Sequence, residues 1–139
     1  MYLIDTNVIS ELTKPAPNSA VIEWFANTAV QSVYISTVTL CELQRGVGLL
    51  PASSRKSALK AAIEALVQED FAQRCLNLDA RCAPLYGQIA ASQQQKGRVC
   101  SVEDAMIAAI ALANQFTLVT RNTKDFKGIT GLALLDPWN

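Results

Sequence analysis

The chain has 139 residues, half of them hydrophobic, and its 12 basic side chains balance its 12 acidic ones to a formal charge of zero. That length is enough for one domain with a real core, which excludes disorder, and the neutral balance excludes a large sequence-independent nucleic-acid footprint unless charge is gathered locally or supplied by a metal. There is no histidine, so serine–histidine and cysteine–histidine mechanisms are excluded, and so is the commonest general base.

The four cysteines, Cys41, Cys75, Cys82 and Cys100, form no C-x-x-C pair and sit in apolar, regular segments. They read as reduced, buried thiols of a cytoplasmic protein. No stretch reaches the ~18 apolar residues of a membrane helix. No basic region followed by a long apolar run stands at the N-terminus, so neither a membrane span nor a signal peptide is expected.

In chain order, Tyr2-Leu3-Ile4 is a short apolar run of the kind that forms a buried strand. Asp5, Thr6 and Asn7 follow as helix-start residues, and Val8, Ile9 and Leu12 continue at helical spacing until Pro15 and Pro17. Asn18 or Ser19 caps a second helix that carries Val21, Ile22, Trp24 and Phe25. Val33 to Ile35 is strand-like. Ser36 and Thr37 then start a helix with Val38, Leu40, Cys41, Glu42 and Leu43, which Gly46 and Gly48 are expected to end. Residues 55–69 form an amphipathic helix with Leu59, Ile63, Leu66 and Val67 on one side. A third strand is expected over 75–78. A helix is expected over 80–96, ended by Gly97, and another from Ser101 to about Asn114, apolar nearly all round and therefore buried. Residues 117–120 are a fourth strand, 121–128 a polar loop and 132–135 a fifth strand. Strands alternating with helices predict an α/β fold with a mainly parallel central sheet of about five strands.

Four acids fall at the ends of strands or the starts of helices. Asp5 stands at a strand-to-helix junction, the edge where open α/β sheets bind ligands, although it could simply cap the helix. Asp104 lies in the first turn of the buried helix, where it could serve Ser101 in a capping box or gain from the helix dipole. Glu42 is set among apolar neighbours, with Arg45 three residues on as a possible partner. Asp125 lies in the loop after the fourth strand, where turn chemistry alone would account for it. Converging carboxylates raise one another's pKa unless cations intervene. An oxygen-only ligand set suits Mg2+ or Mn2+. Two such ions could supply the activated water and leaving-group stabilisation of phosphodiester cleavage.

Four blocks in order carry a resemblance over essentially the whole chain: residues 3–11 (LIDTNVISE), 35–43 (ISTVTLCEL), 101–108 (SVEDAMIA) and 120–126 (TRNTKDF). The sequence resembles the PIN domains, specifically the VapC-type toxin ribonucleases of the FitB-like subgroup. The resemblance implies a single PIN domain over 1–139 with a three-layer α/β/α fold. It implies Mg2+- or Mn2+-dependent cleavage of RNA to 5′-phosphate and 3′-hydroxyl ends, restraint by a cognate antitoxin, a homodimer, and DNA contact only through the antitoxin. Asp5, Glu42 and Asp104 match the family's metal-binding acids. Many members place an aspartate directly after Thr-Arg; here that residue is Asn122, and Asp125 can supply the carboxylate instead.

Thr6 and Thr120 could orient water or carboxylates through their hydroxyls, or be a plain cap and a plain strand residue. Asp79 matches no block and reads as a helix cap. Glu11 and Glu103 read as solvated helix acids. Arg121, Lys124 and Lys127 surround Asp125 and could hold an RNA backbone. Trp24 and Phe25 read as core, or as the lining of a groove for an antitoxin helix. Trp138 could pack the last strand or support a dimer. Two other functions share these features. A haloacid-dehalogenase-type magnesium phosphohydrolase would want a second aspartate where Asn7 stands. A catalytically silent domain would bind only a partner protein or DNA.

Overall fold

The computed structural model describes residues 1–139. Five parallel strands, β1 (Tyr2–Ile4), β2 (Val33–Ser36), β3 (Cys75–Leu76), β4 (Thr117–Val119) and β5 (Leu134–Leu135), form one sheet in the order β3-β2-β1-β4-β5. The helices are α1 (Thr6–Leu12), α2 (Ser19–Ala26), α3 (Thr37–Gly48), α4 (Ser54–Ala65), α5 (Cys82–Gln95) and α6 (Val102–Asn114). No helix is long and apolar enough to cross a membrane.

Because side chains alternate across a strand, each short strand feeds two cores. Leu3 and Leu118 face one, with α5, α6 and Phe126. Ile4 and Val119 face the other, with Val8, Ile9, Val21 and Phe71. Helices therefore cover both faces of the sheet, the expected α/β/α sandwich. Helix α6 is the buried one: Ile107 to Ala111 are all fully inaccessible.

Several boundaries depart from expectation. Helix α3 runs through Gly46 to Gly48, since neither glycine takes the positive φ of a helix stop. The amphipathic helix over 55–69 stops being α-helical at Ala65, and Leu66–Asp70 is a π-helical turn. The third and fifth strands are only two residues long, Cys75–Leu76 and Leu134–Leu135. Residues 121–128 are not wholly irregular: Thr123–Phe126 is a 3-10 turn that buries Phe126. Among the cysteines only Cys82 is buried; Cys41 lies on the solvent side of α3 and is exposed.

The order of strands places the site. From β1 the chain steps outward to β2 and β3 on one side, and β4 and β5 occupy the other. The direction reverses between β1 and β4, and a crevice opens outside their carboxyl ends at such a reversal. Asp5 follows β1 and Thr120 follows β4, so both stand at that crevice.

Candidate metal centre

Asp5 is 5% exposed and is fixed at both oxygens. Its Oδ1 accepts the Thr6 backbone N–H at 2.7 Å, which makes it the cap of α1. Its Oδ2 accepts the Thr120 hydroxyl at 2.9 Å and the Asn7 side-chain amide at 3.1 Å. Capping and site placement are thus one arrangement rather than alternatives. No cation pairs with this carboxylate. Burial pushes its pKa up, against the three hydrogen bonds, and the charge of Asp125 adds to the rise.

Glu42 sits on α3, whose start is capped by Ser36 accepting from the Thr39 N–H at 3.1 Å. The Thr6 hydroxyl donates to Glu42 Oε1 at 2.7 Å and lies 3.1 Å from the Thr39 hydroxyl. A hydroxyl has one proton. Thr6 gives its own to the carboxylate, so Thr39 donates to Thr6. Ser36 Oγ in turn lies 3.4 Å from Thr39 Oγ1. A chain of hydroxyls from Ser36 through Thr39 and Thr6 therefore ends on Glu42. Arg45 is exposed and makes no ion pair, so the helical pairing considered for Glu42 is not formed. Burial raises the Glu42 pKa, with Asp5 and Glu103 contributing by repulsion.

Asp104 lies in the first turn of α6. Its backbone N–H donates to the Ser101 hydroxyl at 3.0 Å, and its carboxylate does not return to the Ser101 N–H, so only half of a capping box exists. Its pKa is pushed up to about 6, first by burial and then by the charges of Asp5, Asp125 and Glu42, against the Ser101 hydroxyl.

Asp5, Glu42 and Asp104 line one cleft of about 410 Å³, together with Thr6, Asn7, Ser10, Glu11, Lys14, Arg121, Asn122 and Trp138. Asn122 reaches this lining, whereas Asp125, in the 3-10 turn, is not part of it and acts on Asp5 and Asp104 through its charge. No three acidic or sulfur side chains are drawn closely enough round one point to cage an ion. The donor set nevertheless fits a hard divalent cation: oxygen atoms only, three carboxylates without cationic partners, each raised by burial and two of them by the others. An ion of that class would relieve both penalties.

The remaining acids behave differently. Glu11, expected to be solvated, is only 6% exposed. It accepts from Lys14 Nζ at 2.9 Å and from the Asn18 N–H at 2.9 Å, which hold its carboxyl below the usual range. Asp79, expected to cap a helix from Ala80, instead pairs with Arg81 and accepts its N–H at 3.0 Å in the turn before α5, which starts at Cys82 with no side-chain cap. Glu103 is exposed. Of the three basic residues near Asp125, only Arg121 lines the cleft. Trp24 packs edge-on against Tyr2 and Phe25. Phe25 alone of that pair lines a larger apolar groove of about 850 Å³, which shares Thr6, Ser10 and Glu42 with the acid cleft.

Sequence reasoning did not find Thr39, Ser36 or Asn7 as orienting groups, nor Trp138 as part of the cleft. Asn7 had a readable signal, its place two residues after Asp5; the side-chain alcohols of α3 had none beyond capping.

Comparison with known proteins gives the family. Residues 2–132 match the PIN domain. The plasmid stability protein StbB of Pseudomonas syringae pv. tomato is 40% identical over 138 residues, 99% of either chain. A VapC ribonuclease of Sinorhizobium fredii is 35% identical over 99% of this chain and 98% of its own. Among solved structures, that of FitAcB from Neisseria gonorrhoeae superposes with a TM-score of 0.90 at 36% identity, covering 100% of this chain and 99% of that one. With a matching domain over nearly its full length, relatives above the level at which fold and family are shared, and acids gathered at the switch point of the same sheet, the chain belongs to the PIN-domain family.

Proposed function

We propose that this protein, as a single domain over residues 1–139, is a divalent-metal-dependent endoribonuclease and the toxin of a toxin–antitoxin pair. The observation that carries this reading is the cleft in which Asp5, Glu42 and Asp104 meet without cationic partners, on a chain similar to a VapC ribonuclease. Asp5, Glu42 and Asp104 would hold Mg2+ or Mn2+, and Asn122 or Asp125 would shape a second position. When bound, such an ion would acidify a water and offset the charge of the scissile phosphate. The chain's own groups do the orienting. Thr120 and Asn7 fix Oδ2 of Asp5. Thr6 fixes Oε1 of Glu42 and leaves its second oxygen for a water proton. By family resemblance the products carry 5′-phosphate and 3′-hydroxyl ends.

The apolar groove beside the cleft opens onto Thr6, Ser10 and Glu42. It suits an amphipathic antitoxin segment that would block the site from its side. DNA contact by the pair would then be made by the antitoxin, and a homodimer is the assembly the family implies. The phosphohydrolase alternative is weakened at Asn7, whose amide is occupied by Asp5 and Thr120 and whose carbonyl accepts the Arg121 N–H.

The test is cleavage of defined RNAs by the antitoxin-free protein with Mg2+, Mn2+ or EDTA, beside Asp5→Asn. Metal-dependent cutting that vanishes in a folded Asp5→Asn variant, a loss of at least ~10³-fold on the scale of removed catalytic groups, is expected. Full activity in that variant would sink the assignment. No cutting by a wild-type protein that binds metal would favour small phosphoesters as substrates, and no metal binding would favour a silent binding domain.

A further inference from the structure

Trp138 is the one hydrophobic residue lining the acid cleft, and it carries a passenger. The Arg121 guanidinium lies over its ring, 5.1 Å from the centroid. Arg121 is exposed and forms no ion pair; the ion pairs of the molecule are Lys14–Glu11 and Arg81–Asp79. Its side chain makes no hydrogen bond to the protein, so its fork of N–H donors is unspent.

Both halves of this stack are anchored. The Arg121 backbone N–H donates to Asn7 Oδ1 at 3.2 Å, and the next N–H, of Asn122, donates to the Thr120 hydroxyl at 3.1 Å. Asn7 and Thr120 are the side chains that fix Asp5, so Arg121 is referenced to the same point as the candidate metal ligand. Trp138 packs against the core beneath α1 and α2. Its backbone N–H is held by Asp136 Oδ1 at 2.9 Å, while Asp136 Oδ2 accepts from Asn139 at 2.8 Å. Asp136 keeps acceptor capacity beyond these two bonds, yet Arg121 does not pair with it, so the arginine is not held there to steady this turn. A cation stacked on an aromatic face, lining the cleft with its donors unspent, is instead arranged to receive an anion.

We propose that Arg121 is the phosphate-binding group of the cleft, gripping the backbone of single-stranded RNA beside the scissile position, and that Trp138 is its positioning residue. This deepens the ribonuclease reading and rests on it. Arginine suits the task because its planar fork binds phosphate oxygens bidentately, and stacking removes the rotamer freedom it would otherwise lose on binding. Arg121 lines the same cleft as the three carboxylates, so a phosphate it holds lies beside the position the ion would take.

The experiment measures kinetics and salt-dependent binding of a fluorescent single-stranded RNA oligonucleotide that the wild type cuts. Binding is read in the Asp5→Asn background so that the RNA stays intact. For Arg121→Ala, KM is expected to rise about tenfold with kcat moving less than about twofold, and the slope of log affinity against log salt to shrink by about 0.7, the value of one lost single-strand phosphate contact. Arg121→Lys should restore the salt slope without the full affinity, because it keeps the charge and loses the fork. Trp138→Ala should raise KM in the same direction with the slope kept, and Trp138→Phe should recover most of it. An Arg121→Ala protein with unchanged KM and slope overturns the proposal while leaving the ribonuclease reading intact. A Trp138→Ala protein that loses thermal stability alone overturns the positioning role. A wild type that cuts no RNA overturns both readings together.

Discussion

Asp104→Asn is expected to stabilise the metal-free protein at neutral pH. Asp104 titrates near 6 in the folded protein against an ordinary 3.8, with burial as the first cause. The folded state therefore holds this proton more tightly than the unfolded state. Below about pH 4 both states are protonated and the site costs nothing. As pH rises from about 4 to about 6 the unfolded chain ionises first, and stability falls; above that the loss is complete. The gap between the two values corresponds to about 3 kcal/mol at 1.36 kcal/mol per pH unit. The carboxylate is only half-buried, and solvent screening reduces the effect to about 1–2 kcal/mol. Asparagine also gives up the carboxylate's attraction to the N-terminus of α6, worth about 0.3–1 kcal/mol.

The net gain at pH 7.5 is thus about 1 kcal/mol, or a rise of roughly 3–5 °C in Tm for a domain of this size. Thermal melts of wild type and variant in EDTA at pH 4, 5.5 and 7.5 measure it. The difference should be largest at pH 7.5 and vanish or change sign by pH 4. A variant no more stable at pH 7.5, or an advantage that grows toward pH 4, refutes the reasoning. Mg2+ should then reverse the ranking by binding the native wild type more tightly than the variant.

Other substitutions probe other levels. Thr120→Val removes the hydroxyl that donates to Asp5; at about 1.5–3 kcal/mol for a bond to a charged group, cleavage should fall about 10- to 100-fold, and an unchanged rate would mean that Asn7 alone orients Asp5. Leu118→Ala opens a void in a fully buried strand position and should cost about 2–5 kcal/mol by urea unfolding. Gln115 ends α6 with φ of 58°, so Gln115→Gly relieves a left-handed penalty of about 1–2 kcal/mol against a glycine entropy cost of about 0.5–1 kcal/mol; denaturant midpoints should show a small gain, and a loss would show that the glutamine side chain is itself needed there.

The fold was legible where local rules suffice. Short apolar runs followed at once by capping residues mark β1–α1, β2–α3 and the start of α6, and the caps Asp5, Asn18, Ser36 and Ser101 all form. Misreadings came where a residue's meaning depends on backbone shape that composition does not reveal. Gly46 and Gly48 lie in open space at ordinary φ, so they permitted a helix stop that the chain did not take. Gly97, at φ of 67°, did take it. Cys41 was misplaced because its neighbours are apolar in sequence, while α3 turns it away from the sheet.

The site was legible as a set of acids and not as a set of contacts. Strand ends pointed to Asp5 and Asp125, a helix start to Asp104 and apolar neighbours to Glu42, while Asp79, also after a strand, matched no block. What separates them is their partners. Asp79 and Glu11 each have a cation at 3.0 Å or closer and titrate below the usual range. Asp5 and Glu42 are held by hydroxyl and amide donors from residues up to 115 positions away, and, like Asp104, titrate above it. Neutral donors fix a carboxylate's direction without cancelling its charge. An acid paired with lysine or arginine has already spent its field within the fold. Acids oriented by Thr6, Asn7 and Thr120 keep theirs for something that arrives later, and the oxygen donors of a cleft without histidine have the chemistry that suits a divalent cation.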